Sequence, residues 1–211
     1  QLIENPVTIL SDDCWGGVIY HYLGLPFSSP CVNILWEKEE YFKLMQAPLM
    51  YLEKELIMVR EGDLRNGIWP VGQLGEGSES VKMQFVHSIN FDDAKVQWDK
   101  RKERINKNNL FIKMGFNGFD DRKDIWLEEF KKVPYKKVCF FNGERGENIF
   151  ASERFLIRPI RMGRSVEYYS YMDWCRNYSY LGIDILKLLV GDKDYLREGY
   201  KENKEQKGRI L

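Results

Sequence analysis

Apolar positions along this chain fall into short β-branched or aromatic runs, separated by longer stretches with helical spacing. The first run, Val7-Thr8-Ile9-Leu10, stops at the polar turn Ser11-Asp12-Asp13. After Cys14-Trp15-Gly16-Gly17, residues 18–23 carry a short helical pattern that ends at Gly24. Residues 31–36 predict a second strand, and residues 37–46 and 48–56 predict two helices, with Pro48 suited to a first helical turn. Gly67, Pro70, Gly72, Gly75 and Gly77 make residues 63–80 the principal loop region. Alternation over 81–86 predicts a strand that delivers His87 at its carboxyl edge. Asp92 then caps a helix reaching residue 105, Asn108-Asn109 breaks it, and residues 110–114 start another strand. A helix over 126–132 and a strand over 138–141 follow.

Strands alternating with helical stretches favour a mostly parallel sheet wrapped on both faces, because parallel neighbours need crossover connections. The expectation is a three-layer α/β/α fold, with one domain over 1–190 and a charged C-terminal tail over 191–211 that frays or turns helical. Residues 158–190 are rich in aromatics, including Tyr168, Tyr169, Tyr171, Trp174, Tyr178 and Tyr180. They suit a core or an interface, and a non-catalytic scaffold subunit would use them so.

The chain has 211 residues, 44% hydrophobic and 30% charged, which is ordinary globular composition. Its 32 basic and 32 acidic residues cancel, so no global field draws it onto nucleic acid or an anionic membrane. Any anion site must be local. Asp184 and Lys187 interrupt the longest apolar stretch, and the start of the chain lacks a secretory pattern, so a cytoplasmic protein without an integral membrane segment is expected. Cys14, Cys31, Cys139 and Cys175 form no CxxC pair and are expected as thiols. Residues 72–77 fail the GxGxxG spacing, no P-loop exists, and Asp192-Lys193-Asp194 is only a three-residue match to a nucleotide-sugar metal motif in a charged tail. No cofactor and no metal are expected.

Ligands of open α/β sheets sit outside the carboxyl ends of strands, which places the turn at residues 11–17 where a site belongs. If Cys14 begins the next helix, free N–H groups and the helix dipole favour its thiolate; alternatively it is a small buried residue and the glycines merely permit a sharp turn. Asp12 and Asp13 are equally helix caps. His21 lies seven residues beyond Cys14, about 10 Å along a helix, and is expected to pack or face solvent. His87 reaches the Cys14 turn if its strand lies beside the first one, and is otherwise a backbone-bonded imidazole at a sheet edge. In the helix after it, Ala94, Trp98, Arg101 and Ile105 share a stripe, with Arg104 to one side. A cation on that apolar face must meet an acid such as Asp12 or Asp13, a carbonyl cluster, or a bound phosphate or carboxylate.

Several segments together resemble a bacterial family of unknown function, domain-of-unknown-function family 1919, whose members are often labelled exopolysaccharide or capsular polysaccharide biosynthesis proteins. They are Asp13 to Gly17, Leu23-Gly24-Leu25 with Ser29-Pro30, Pro70-Val71-Gly72, Phe85-Val86-His87, Trp98 through Arg101, Arg104-Ile105-Asn106 and residues 133–138. The likeness spans residues 7–141. It implies a compact α/β domain associated with bacterial surface glycans, without an established activity; together with the residues above, the expectation is a transferase or hydrolase acting on a small sugar or sugar phosphate. Carried onto this chain, it singles out Cys14 and His87 for catalysis and Asp13, Trp15, Gly16, Gly17, Trp98, Arg101, Arg104 and Asn106 for substrate binding. A looser likeness to papain-like cysteine peptidases rests on the early Cys, the mid-chain His and the Trp/Arg-rich helix. That group's Pro-Phe-Asp-Trp string is absent, with Leu25-Pro26-Phe27-Ser28 a partial echo.

Overall fold

A computed structural model describes residues 2–117, 122–142, 157–159, 179–180, 183–192 and 194–195. In chain order its elements are β1 (Thr8–Ser11), α1 (Trp15–Tyr22), β2 (Ile34–Leu35), α2 (Lys38–Gln46), α3 (Pro48–Glu53), β3 (Leu56–Arg60), β4 (Val71–Leu74) and β5 (Val81–Phe85). They continue as α4 (Phe91–Lys102), β6 (Leu110–Asn117), α5 (Lys123–Lys132), β7 (Lys136–Asn142), β8 (Ile157–Pro159), β9 (Ser179–Tyr180), β10 (Ile183–Asp184) and α6 (Ile185–Val190). The chain divides into two units, Pro6–Met162 and one made of Gln1–Asn5 with Gly163–Leu211.

In the first unit, β1, β6, β7 and β8 form a parallel sheet in the order β1-β6-β7-β8. Helix α1 follows β1 and α5 joins β6 to β7, so helices and strands of an α/β class are present as the alternation predicted. A second four-stranded sheet, in the order β2-β5-β4-β3, is antiparallel throughout, where a single mostly parallel sheet was expected. The reason lies in residues 63–80. Residues 61–70 and 75–80 are too short to carry a parallel crossover, which needs about a dozen residues or more, so β3, β4 and β5 can only run up and down. Gly72 belongs to β4 rather than to a loop. A Cβ there would lie 2.7 Å from Leu56 Cδ1 and 3.0 Å from the Phe85 ring, so this glycine marks close packing.

The core of this unit joins both sheets. Leu10, Ile112, Met114 and Cys139 come from the parallel sheet, Ile34, Leu56, Leu74, Met83 and Phe85 from the antiparallel one, and Tyr41, Phe42, Leu44 and Met45 from α2. On α4 the expected stripe is buried at Ala94 and Trp98, each 1% exposed, and half-buried at Arg101; the helix ends at Lys102 rather than at 105, and Ile105 packs against the core from beyond it. The α4 cap is Asn90 rather than Asp92: its backbone is extended and its side chain accepts the Asp93 N–H at 2.8 Å, while Asp92 and Asp93 fall in the first turn near the positive dipole end.

Helix α1 lies directly on β1. The Tyr20 hydroxyl donates to the Val7 carbonyl at 2.7 Å and accepts the Ile9 N–H at 2.8 Å. Such an approach requires small residues. A Cβ on Gly16 would stand 2.9 Å from Ser11 Oγ and 3.1 Å from Ile9 Cγ2, and one on Gly17 would stand 2.9 Å from Val32 Cγ1.

In the second unit, β9 and β10 pair antiparallel, and α6 begins with the Asp184 carboxylate accepting the Lys187 N–H and ends at Gly191, φ +79°. The aromatic positions 168–178, Cys175 and residues 196–211 of the charged tail lie outside the described residues. Among the described residues no helix is long and apolar enough to cross a membrane.

Gly16→Ala forces a methyl group against Ser11 and Ile9. The expected cost is about 1–3 kcal/mol, read as a lower urea midpoint with an unchanged slope.

Candidate functional site

Ser11, the last residue of β1, stands in register with Lys113 on the neighbouring β6. This pairing puts a lysine where a central strand ordinarily carries an apolar residue, and Lys113 is only 4% exposed. Its ammonium is matched by two carboxylates: Nζ lies 2.9 Å from Asp12 Oδ1 and 2.6 Å from Asp13 Oδ2. Lys38, at the start of α2, adds a bond of 2.6 Å to Asp12 Oδ2 and another to the Gly115 carbonyl, while the Gly115 N–H donates to Asp12 Oδ2 at 3.0 Å. Burial alone pushes the Asp12 carboxyl up, but Lys113, Lys38 and the Gly115 N–H outweigh it and hold the group below the usual carboxylate range. Two positive and two negative charges therefore knot together at the carboxyl end of β1, beside the middle of β6.

The knot fixes the turn that carries Cys14. Asp13 Oδ1 accepts the Trp15 N–H at 2.9 Å, its carbonyl accepts the Ser11 hydroxyl at 2.7 Å, and Ser11 Oγ accepts the Gly16 N–H at 3.1 Å. Cys14 itself is the N-cap of α1 and partly buried. Its thiol is not acidified by the helix start, one of the two readings the sequence left open. Burial pushes it up, the Asp13 carboxylate adds to that, and Lys113 opposes both. Cys14 consequently rests as a neutral thiol near neutral pH, and a thiolate needs a base to form.

That base is adjacent. Cys14 Sγ lies 3.9 Å from His87 Nε2. The two strands involved do not share a sheet, unlike the arrangement expected for such an approach. Instead the chain at β2 bridges them: Ile34 pairs with Phe85 on β5, and the Trp36 N–H donates to the Asp12 carbonyl at 3.2 Å. His87 occupies the third position of a turn closed by the Ser88 N–H on the Phe85 carbonyl, and its φ is +89°. Glycine is the usual occupant of that position. A β-substituted side chain held there carries strain, a recurrent property of functional residues. Asn33, φ +64°, is the other non-glycine residue with positive φ among the described residues.

Both strained residues line one small hollow open to solvent, together with Val32, Ser88, Gln97, Trp98 and Arg101. Arg101 Nη1 donates to the Val32 carbonyl at 3.1 Å and Nη2 to Gln97 Oε1 at 2.6 Å, and the guanidinium lies over the Phe27 ring at 5.3 Å. It forms no ion pair among the described residues; Asp12 and Asp13, its anticipated acidic partners, are engaged by lysines. Burial lowers its proton affinity and the Arg104 charge lowers it further, with Asp93 acting the other way. Arg104 is exposed and reaches the Phe27 carbonyl at 3.4 Å. A half-buried cation without a carboxylate, beside a histidine, suits a hydrogen-bonded anion.

Of the remaining sequence-derived candidates only Trp98 reaches the hollow. Trp15 is 1% exposed and stacked on Phe111, and Gly16 and Gly17 serve the close approach of α1. Trp98 lines the hollow while packed edge-on against Phe85. Asn106 binds the Pro6 carbonyl and the Thr8 hydroxyl at the amino end of β1, opposite to Cys14. His21 is exposed, as expected. Sequence reasoning missed Lys38, Lys113, Asn33 and Gln97. Lys113 had a usable signal, a lysine inside the apolar run Leu110-Phe111-Ile112-Lys113-Met114. Among the described residues no cluster of His, Cys, Asp and Glu could hold a metal ion, and Cys14, Cys31 and Cys139 are free thiols.

Residues 1–181 match the family described as Domain of unknown function (DUF1919). A Haemophilus influenzae protein described as uncharacterized is 30% identical over 141 residues, 67% of this chain. The chain spans 64% of the length of that curated relative.

Two outcomes follow from the geometry. His87→Gly removes the strain and is expected to leave the urea midpoint unchanged or raise stability by about 1 kcal/mol, while any ligand binding in the hollow weakens. Because the folded Asp12 carboxyl titrates below its unfolded value near 3.9, its contribution is present above about pH 4 and disappears as pH falls through the folded value. Asp12→Asn is expected to lose about 3 kcal/mol at neutral pH and to flatten the acid limb of a stability profile.

Proposed function

Because the chain belongs to the Domain of unknown function (DUF1919) family, we propose its activity from the site itself: a transferase or hydrolase that holds a small anionic substrate, a sugar phosphate or acidic sugar, in the hollow beside Cys14. The observation that carries this reading is Arg101, a half-buried guanidinium with no acidic partner among the described residues, in the same hollow as a His87 that touches Cys14. Arg101, with Arg104 beside it, grips the phosphate or carboxylate through charge-assisted bonds. His87 removes a proton from Cys14 Sγ, or from a water or substrate hydroxyl, and returns it to the leaving group. Neutral overall charge supports a small ligand over nucleic acid. The substrate class and a part in the making of bacterial exopolysaccharide or capsule follow from the resemblance of residues 7–141.

The contact between sulfur and imidazole favours a second reading, cysteine-dependent hydrolysis of an amide. It differs in needing Cys14 as nucleophile and no anion on Arg101, so inorganic phosphate would not compete with an amide substrate.

A thermal-shift series with inorganic phosphate and nucleotide sugars tests the first reading. At about a hundredfold excess over Kd a ligand adds about 2.7 kcal/mol, a rise of several degrees. Arg101→Ala is expected to abolish that rise and to unfold within a few degrees of the unliganded wild type. A rise that survives in Arg101→Ala, or no protection by any anion, overturns it.

A further inference from the structure

We propose that the Asp13–Lys113 ion pair is a positioning device for the Cys14 sulfur, fixing where it stands against His87 and placing one charge of each sign beside it; this rests on Cys14 and His87 being the reacting pair. Cys14 is held on both sides of its backbone by this pair. Asp13 gives one carboxylate oxygen to Lys113 and the other to the Trp15 N–H, so the residues before and after Cys14 are pinned by a single side chain. Lys113 is in turn anchored from β6 by Asp12, itself held by Lys38 and the Gly115 N–H.

The charges around the sulfur have opposite effects. The Asp13 carboxylate disfavours a second negative charge on Cys14, and the Lys113 ammonium favours it. His87 faces the sulfur from the chain after β5, while Asp12 and Lys38 complete the knot behind Asp13 and Lys113. Stability alone is a weak reason for such a knot, since a buried ion pair is often no better than apolar residues of similar volume. Placed beside Cys14, its Asp13 carboxylate adds to the burial that keeps the sulfur protonated until His87 takes the proton, while Lys113 opposes both, and a protonated sulfur is protected from idle alkylation or oxidation.

Site-resolved alkylation of the folded chain by iodoacetamide, from about pH 6 to about pH 10, reads the sulfur directly, with Cys31, Cys139 and Cys175 quantified separately by mass spectrometry. Asp13→Asn keeps the size of the side chain and an acceptor for the Trp15 N–H but removes the negative charge. Its Cys14 is expected to react about threefold faster or more near neutral pH, with the midpoint of the rate profile moved down. Lys113→Met is expected to move the midpoint up; if it does not fold, Asp13→Asn decides. Ser11→Ala removes an uncharged bond of the same turn and is expected to leave the midpoint in place. The proposal is overturned if Asp13→Asn leaves the profile unmoved, or if Ser11→Ala moves it equally. A wild-type Cys14 inert across the whole range removes the reacting pair and this proposal with it, whereas anion protection through Arg101 would stand untouched.

Discussion

Everything at the carboxyl end of β1 depends on joining four charges, two of them buried, without leaving one alone. An unpaired carboxylate or ammonium in that position would cost several kcal/mol, so Asp12, Asp13, Lys38 and Lys113 constrain one another and, through them, the strands and helix that carry them. Asp12 ties β1 to α2 through Lys38 and to β6 through Lys113 and Gly115. Tyr41 reinforces the same junction by donating toward the carbonyls of Leu10 and Lys113, at 2.8 and 2.9 Å. With those elements locked, the turn between β1 and α1 has little freedom, and Cys14 has a fixed address.

From that address the rest of the site is reached through the second sheet. The chain around β2 is hydrogen-bonded to the end of β1 on one side and to β5 on the other, which carries the turn holding His87 to the sulfur. The same segment supplies Val32, whose carbonyl receives Arg101, and Asn33, which lines the hollow. Strain accumulates where these parts converge: His87 and Asn33 both hold positive φ. The structure tolerates this because its neighbours, Phe85 and Val32 among them, are buried core residues that determine the path of the backbone.

Much of the fold was legible along the chain. The β-branched run at residues 7–10, the alternation at 81–86 and the stripe of Ala94, Trp98 and Ile105 all report local periodicity, and local periodicity is what decides which face is buried. The antiparallel sheet was not legible, because the glycines at 67, 72, 75 and 77 signal turns and close packing with the same letter. Gly75 and Gly77 do hold positive φ in turns, whereas Gly72 sits in a strand against Leu56 and Phe85. The cap of α4 shows the same limit on a smaller scale, since Asn90, Asp92 and Asp93 are all competent caps and only the extended backbone at Asn90 selects one.

The site divides along the same line. Sequence alone determined the inventory of reactive groups and some of their placement: a thiol after the first strand, a histidine after a later one, and an arginine on the buried stripe of a helix, each a matter of spacing within one element. Tertiary structure decided what those groups face. Whether Cys14 is acidified by a helix start or held neutral beside Asp13, and whether Arg101 meets an acid or a hollow, depends on the side chains of Lys38 and Lys113 and the carbonyl of Val32 arriving from distant parts of the chain. Electrostatic and hydrogen-bond energies are set by distance and burial, and neither is a property of position along the sequence.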